Sequence, residues 1–326
     1  MNRLYRIRIR PRAAWRTPWQ ADTLSGLLCW MCARTEGETV LRNEILNPML
    51  AGAPPFVLSD AFPGDMFPVP LAARLRSWPA QDRKLVKRAT WLSAEAFQRF
   101  RAGATLTLND LIQAPLIRTN AQTHNMISRV SSSTGAEGSL FTAHEYCFGA
   151  DDAALTGDWL SVYLRVRAGF EDRLLALFEE LSITGFGADA SVGKGAFGFP
   201  ESQPRLEPVD HLASLPPAAD GVITLSTFQP AVKDPTAGAW QSFTKFAKLG
   251  PGLGLVDVRK KPLVLTRPGA CWAWSAHAVF LGRAIPMDEF LPAATTADLR
   301  DRGFEVLHPA FGLAVPGSLG RDWYDD

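Results

Sequence analysis

The chain opens on a strict alternation. In LYRIRIRP, residues 4–11, Tyr5, Ile7 and Ile9 fall on one face and Arg6, Arg8 and Arg10 on the other. This is the period of a half-buried strand with a basic outer face. The period then lengthens: Leu24, Leu27, Leu28 and Met31 form a helical stripe behind Asp22, which predicts a helix capped by that aspartate. The pair recurs later. WLSVYLRVRA, residues 159–168, puts Leu160, Val162, Leu164 and Val166 inward and Ser161, Tyr163, Arg165 and Arg167 outward. Phe170, Leu174, Leu177, Phe178 and Leu181 follow at helical spacing. The first 200 residues thus begin with strand and helix and end with strand, helix and glycine-rich loop, an α+β order of the ferredoxin-like kind with a long insertion. The insertion runs from about Pro115 to Phe148, and its turn-rich VSSSTGAEGSLF predicts a projecting hairpin.

Prolines at 200, 204, 208, 216 and 217 then interrupt every period, which predicts a linker or edge crossing over 200–220. Beyond it, apolar runs at 222–229, 262–266, 278–285 and 304–315 predict a second small α+β domain. The expected division is 1–199, 200–220 and 221–326.

At 326 residues, with 47% hydrophobic and 21% charged residues, the chain can bury a real core. A net charge of only +1 means that any affinity for nucleic acid must come from local clusters. No apolar run is long enough for a membrane span, and the first residues read as a strand without a signal peptide's apolar core. Four cysteines without a secretory signal point to a reducing, cytoplasmic setting. Cys29 and Cys32 form a C-x-x-C inside a helical stripe and are expected to pack in the core; the five histidines show no metal-ligand spacing. Neither metal nor cofactor is expected.

The most unusual stretch is ITGFGADASVGKGAFGFP, residues 183–200, with Lys194 among five glycines. A P-loop would need glycine at 188 and a hydroxyl at 195, where the chain has Ala188 and Gly195. The dinucleotide fingerprint fits Gly185, Gly187 and Ala190, but that motif follows a strand and opens a helix, and here the order is reversed. Both nucleotide readings fail. A glycine C-cap explains the residue near 185 and not the others.

Several elements together resemble the RAMP superfamily of CRISPR ribonucleoproteins, most nearly the family of the fourth subunit of the type III-A Csm complex. RPRAAWRTPWQADTLSGLLCW is similar to that family's opening strand, loop and helix, and HNMISRVSSSTGAEGSLF (124–141) to its thumb segment. GFGADASVGKGAFGF resembles its glycine-rich loop, and FTKFAKLGPGLG, KKPLVLTRPGA and HPAFGLAVP resemble its second domain. The thumb departs at one position, where Ser128 stands before Arg129 in place of the usual Asp. The resemblance implies two ferredoxin-like (RRM-like) RAMP domains with a projecting thumb hairpin in the first. It also implies a cap on the 5′ end of a guide RNA that grips the repeat-derived handle. The implied partners are that crRNA, a large polymerase-like signature subunit and a backbone RAMP subunit, with target RNA met indirectly.

The residue chemistry runs the same way. Gly193 and Gly195 would let the main chain approach phosphates and offer its N–H groups beside Ser191, with Lys194 as the point charge. Phe197 either stacks on a base or anchors the loop, and Asp189 is expected to bind the loop's own amides. His124 and Asn125 either read RNA edges or hold the base of the thumb, and Arg129 is placed on phosphate or sugar. Lys245 and Lys248, like the Arg6/Arg8/Arg10 and Arg165/Arg167 faces, are either RNA contacts or a solvated or docking surface. Catalysis is not expected. WRTPWQADTLSG stands where catalytic RAMP subunits carry an aspartate loop, and His124 is the only candidate acid/base near the implied RNA path. The alternative is a RAMP-type endoribonuclease that processes guide RNA.

Overall fold

The computed structural model describes residues 3–113, 116–125, 127, 130–133, 140–148, 157–250, 253–255, 259–273 and 279–320. Strand β1 (Leu4–Pro11) leads through a loop into helix α1 (Ala21–Thr35), and β2 (Phe56–Pro63) follows. Two short helices, α2 (Leu71–Leu75) and α3 (Arg83–Arg88), precede a long hairpin, β3 (Ile117–Asn125) and β4 (Leu140–Phe148). Then come β5 (Leu160–Val166) and α4 (Glu171–Thr184). The second half holds β6 (Gly221–Thr224), β7 (Ser242–Lys245), β8 (Leu263–Thr266), β9 (Cys271–Ala273), β10 (Phe280–Pro286) and β11 (Leu307–Gly317).

The expected strands and helices of the first half form, and β1 and β5 pair antiparallel with Tyr5 opposite Leu164 and Ile7 opposite Val162. The sheet runs Glu207–Pro208, β1, β5, β2, and Phe197–Gly198 also pairs with the end of β1. The apolar stripe of α4 is buried as its spacing requires. Its neighbour β5 departs from the alternation, because Ser161, Tyr163 and Arg165 are buried along with the apolar residues. The segment after β2 covers Ser161 and Tyr163, and Phe67 lies 4.8 Å from the Tyr163 ring. The arginine face of β1 carries its own acids. Arg6 meets Asp65 at 2.5 Å and also Glu207, Arg8 lies 3.5 Å from Glu207, and Arg10 lies 2.9 Å from Asp158. Arg167 faces Glu44 at 3.0 Å. These arginines hold neighbouring segments and do not form one open basic surface.

A second antiparallel sheet runs Gly238–Ala239, β9, β6, β11, β10, and β7 pairs with β8 as a separate hairpin. The 200–220 crossing is fastened to the first sheet. Glu207–Pro208 pairs with β1, and a helical turn at Asp210–Ala213 buries Leu212. One hydrophobic core runs through both halves, from Leu4, Ile7 and Leu28 to Ile223, Leu313 and Val315. Cys29 and Cys32 lie buried in it, and burial pushes both thiols up to about 12.

Two buried aspartates hold the halves together. Asp22 is not the helix cap that its position suggested. The N-cap is Gln20, and the first N–H of α1, on Ala21, donates instead to Asp60 of β2 at 2.8 Å. Asp60 sits at the β-bulge between Leu58 and Ala61 and also accepts from the Thr227 N–H (2.6 Å) and hydroxyl (2.7 Å). Asp22, 2% exposed, takes the Lys245 ammonium at 2.7 Å, and His308 Nε2 lies 3.1 Å away. The Lys260 ammonium stands 3.0 Å from His308 Nδ1, an arrangement that suits a neutral imidazole with its proton on Nε2. Burial and Lys260 push His308 down to about 4, and burial takes Lys260 down to about 8. Burial would raise Asp22, but His308 and Lys245 hold it well below the usual carboxylate range.

Among the described residues no cation stands beside Asp60, and burial, opposed by its three hydrogen bonds, raises it to about 6. Its folded-state pKa lies above the unfolded value near 4, so the folded chain binds more protons between those limits. Asp60 therefore weakens the fold as pH climbs through that window. Asparagine at 60 keeps an acceptor for both N–H groups without the charge. The stability of Asp60→Asn relative to the natural chain is expected to rise between about pH 4 and pH 6, by up to about 1.4 kcal/mol per unit. Denaturant midpoints at pH 4.5 and 7 measure this, and an equal difference at both would rule out a buried charge at 60.

Candidate nucleic-acid interface

Three segments distant in sequence meet at the glycine-rich loop. The loop between β1 and α1 is stitched to it by Arg12 N–H to Ala196 O (2.8 Å) and Gly195 N–H to Ala14 O (2.9 Å). The same loop is stitched to the hairpin by reciprocal bonds between Trp15 and Tyr146 at 3.0 and 2.7 Å. Trp19 stacks on Phe186 at 3.8 Å, and Phe197 packs edge-on to Trp19 at 5.2 Å. Phe197 is 2% exposed, so it anchors the loop in the core and presents no face to a base.

The glycines divide by what surrounds them. Gly185 caps α4 at φ 84°. A Cβ on Gly187 would lie 2.5 Å from Thr17 Cβ, and one on Gly195 would overlap the Phe186 carbonyl oxygen. These three are glycine so that the loop can close on its own neighbours. Gly193 differs. It has φ 86°, is exposed, and a Cβ there would meet nothing within 4 Å. It follows the short turn Ala190–Val192, which holds Ser191 exposed. Of the two glycines expected to face a ligand, Gly193 is on the open surface and Gly195 is interior.

The charges close into one cluster. Glu145 of β4, 2% exposed, receives Lys194 Nζ at 2.7 Å and Arg16 Nε at 3.6 Å. Arg16 also pairs with Asp189 and sets Nη2 2.6 Å from His124 Nε2. A guanidinium can only donate, so His124 Nε2 accepts and the imidazole is neutral in this arrangement. The ring stacks on Phe141 at 5.4 Å. The Lys194 ammonium, aided by Arg16, keeps the Glu145 carboxyl below the ordinary range despite its burial. Asp189 departs from its expected role. Its backbone sits at φ 62° with its carbonyl taking the Val192 and Lys194 N–H groups, but its carboxylate turns to Arg16 and not to the loop amides.

The sequence-predicted residues separate accordingly. Lys194 and His124 join one cluster through Glu145 and Arg16, Ser191 and Gly193 are exposed beside Lys194 in its loop, and Asn125 is exposed at the end of β3 opposite Leu140. Arg129 lies outside the described residues. Lys245 faces inward, with its ammonium on Asp22, on Gln20 Oε1 at 2.8 Å and on Thr23 Oγ1 at 2.7 Å. All three of its donors have interior partners, which argues against an RNA contact. Lys248 is exposed on the second half, in a backbone bridge with Arg259. Arg16 and Glu145 are the residues that sequence reasoning missed. Arg16 stands in an arginine-rich start, but nothing local marks Glu145 as its partner.

Among the described residues no helix is long and apolar enough to cross a membrane. No group of three His, Cys, Asp or Glu could hold a metal ion among them either.

No protein-family model matches this chain, and no curated protein does. Solved structures do match in fold. A chain of a Csm1-Csm4 cassette in complex with pppApA is 15% identical, covers 97% of this chain and 98% of its own, and superposes with a TM-score of 0.59. A chain of the same cassette in complex with cA4 is 14% identical over 97% and 98%, with a TM-score of 0.60. A chain of a Csm3-Csm4 subcomplex in the type III-A CRISPR-Cas interference complex is 10% identical over 96% and 99%, with a TM-score of 0.60. Csm4 is the component that both assemblies share. The mixed fold with antiparallel sheets is consistent with that subunit over nearly its whole length.

Proposed function

We propose that this chain is a non-catalytic RNA-binding subunit of a type III-A CRISPR effector complex, in the position of Csm4. In this reading it caps the 5′ end of the guide RNA, binds the repeat-derived handle and bridges a large signature subunit to a backbone RAMP subunit, in the cytoplasm. The observation that carries it is the whole-length fold likeness to chains from one assembly that contains Csm1 and another that contains Csm3. The reading divides the chain into two ferredoxin-like units, 1–199 and 221–326, packed on a shared core with 200–220 as the crossing. The β3–β4 hairpin is its thumb. That hairpin holds Leu140 (67%) and Phe141 (48%) exposed, as expected of a surface that meets RNA or a partner.

The Gly193–Lys194 loop is the phosphate contact. One Lys194 donor stays on Glu145, and the partly exposed ammonium has two more to offer a phosphate. Lys194→Ala is expected to flatten the slope of log affinity against log salt by about 0.7 for single-stranded RNA, with similar loss for different sequences. Glu145→Gln is expected to do the opposite and tighten binding, since it frees Lys194 and Arg16 of their carboxylate. Affinities at several salt concentrations check both, and an unchanged slope in both variants would remove this loop from the RNA path.

Absence of catalysis belongs to the same reading. His124 holds Nε2 against Arg16, and among the described residues no carboxylate is hydrogen-bonded to its ring to orient it as a general base. Repeat RNA and unstructured RNA should stay intact with magnesium or manganese. Site-dependent cleavage abolished by His124→Ala would establish the endoribonuclease instead.

A further inference from the structure

A second dense run of positive charge, besides the arginine-rich start, lies far from the glycine-rich loop in sequence. Residues 74–88 carry Arg74, Arg76, Arg83, Lys84, Lys87 and Arg88 against the single acid Asp82, in a protein whose net charge is +1. α2, α3 and the turn between them fold this segment along an open cavity of about 980 Å³, which Gly103, Gln241 and Leu319 also line. That volume is in the range of small-ligand sites.

The cations here are placed unlike many of the others, although buried Arg101 also donates to backbone carbonyls. Arg6, Arg10, Arg167 and Arg283 each face a carboxylate within 4 Å. Among the described residues, those lining the cavity have no carboxylate within that distance. Arg74 donates to the carbonyls of Lys87 (3.3 Å) and Ala89 (2.7 Å), Arg76 to that of Leu319 (3.1 Å) and Arg83 to that of Trp78 (3.3 Å). Backbone carbonyls fix the direction of a guanidinium without neutralising it, so the site keeps its positive charge and its geometry together. Trp78 lines the same cavity, half-buried, with its indole N–H fixed on the Ala73 carbonyl at 2.9 Å. Held cations beside a held aromatic ring are the two recognition elements for a phosphate and the base attached to it.

We infer that this cavity binds a phosphate-bearing nucleotide, either free or as part of a single-stranded RNA, with Arg74, Arg76, Arg83 and Lys87 on the phosphates and Trp78 against the base. It is a second anionic-ligand site, independent of Lys194 and of the proposed place of the chain in a CRISPR complex.

Arg83 and Lys87 are exposed, so replacing both by alanine should leave the melting temperature unchanged while removing two contacts. Calorimetric titration of the full chain with AMP, adenosine and a 5′-phosphorylated RNA hexamer tests the inference. AMP or the hexamer should bind and adenosine should not, and Arg83→Ala with Lys87→Ala should weaken binding by about tenfold per lost charge-assisted contact. The salt slope for the hexamer should fall by about 1.4. Binding of AMP alone identifies a free nucleotide as the ligand, and binding of the hexamer alone identifies an RNA strand. Lys194→Ala must leave the AMP affinity intact, which separates this site from the glycine-rich loop. Equal affinities in the natural chain and the double variant would overturn the inference. So would binding of an oligoglutamate peptide, lost in the double variant, where no nucleotide binds, which would make the cavity a dock for an acidic protein segment.

Discussion

Asp22→Ala is expected to lose about 3–5 kcal/mol of stability, the cost of breaking a buried ion pair and leaving its partner uncompensated. Lys245 has its side chain 14% exposed and two neutral acceptors besides Asp22, so its charge would stay buried without an anion. Lys260 and His308 stand behind it, and both lose the negative charge that they face. At about 2.1 cal/mol/K of unfolding entropy per residue, that loss lowers the melting temperature by about 4–7 °C. The damage falls on the joint between the halves, because Asp22 lies on α1 and Lys245 and His308 lie on β7 and β11. Replacing both charges, Asp22→Leu with Lys245→Met, should recover much of the loss, since apolar side chains of similar size can take the place of a buried pair. Scanning calorimetry of the three proteins decides it. A single variant that melts with the natural chain would mean that the cluster contributes nothing to the joint.

Gly195→Ala is expected to cost about 2–5 kcal/mol and to loosen the loop, whereas Gly193→Ala costs about 1–2 kcal/mol. Both residues have positive φ, so both variants carry the left-handed penalty. Only at 195 does the new methyl group overlap a backbone oxygen, that of Phe186, which accepts no compensating shift while Trp19 stacks on the ring beneath. RNA binding should order the variants differently. Gly193→Val obstructs the open face and weakens binding with a modest stability change, while the Gly195 variant fails through folding. Melting curves that fall equally for the two alanine variants would contradict this division.

How far the sequence reveals these features depends on whether the signal is local. The alternation of β1 and β5 and the stripe of α4 identify their elements, because strand and helix periods are written within a few residues. The same patterns mislead where a distant segment adds a layer. Ser161, Tyr163 and Arg165 read as outward but are buried, the first two against the segment around Asp65 and Phe67, and Asp22 reads as a cap although Asp60, a strand away, receives the first helical N–H. The glycine-rich loop stands out in the sequence. Its chemistry does not, because Arg16, Glu145 and Lys194 come together only when three segments close on one another. The basic run at 74–88 has neither alternation nor motif, and only the fold sets it along a cavity.

The most direct measurement is to purify the chain under native conditions from cells that make it and to sequence the RNA that comes with it. Short RNAs sharing one repeat-derived 5′ sequence are expected, together with a large signature subunit and a backbone RAMP subunit, and Gly193→Val with Lys194→Ala should reduce the RNA recovered. Purification without RNA, or with RNAs that share no 5′ sequence, would contradict a role as the cap of a guide RNA.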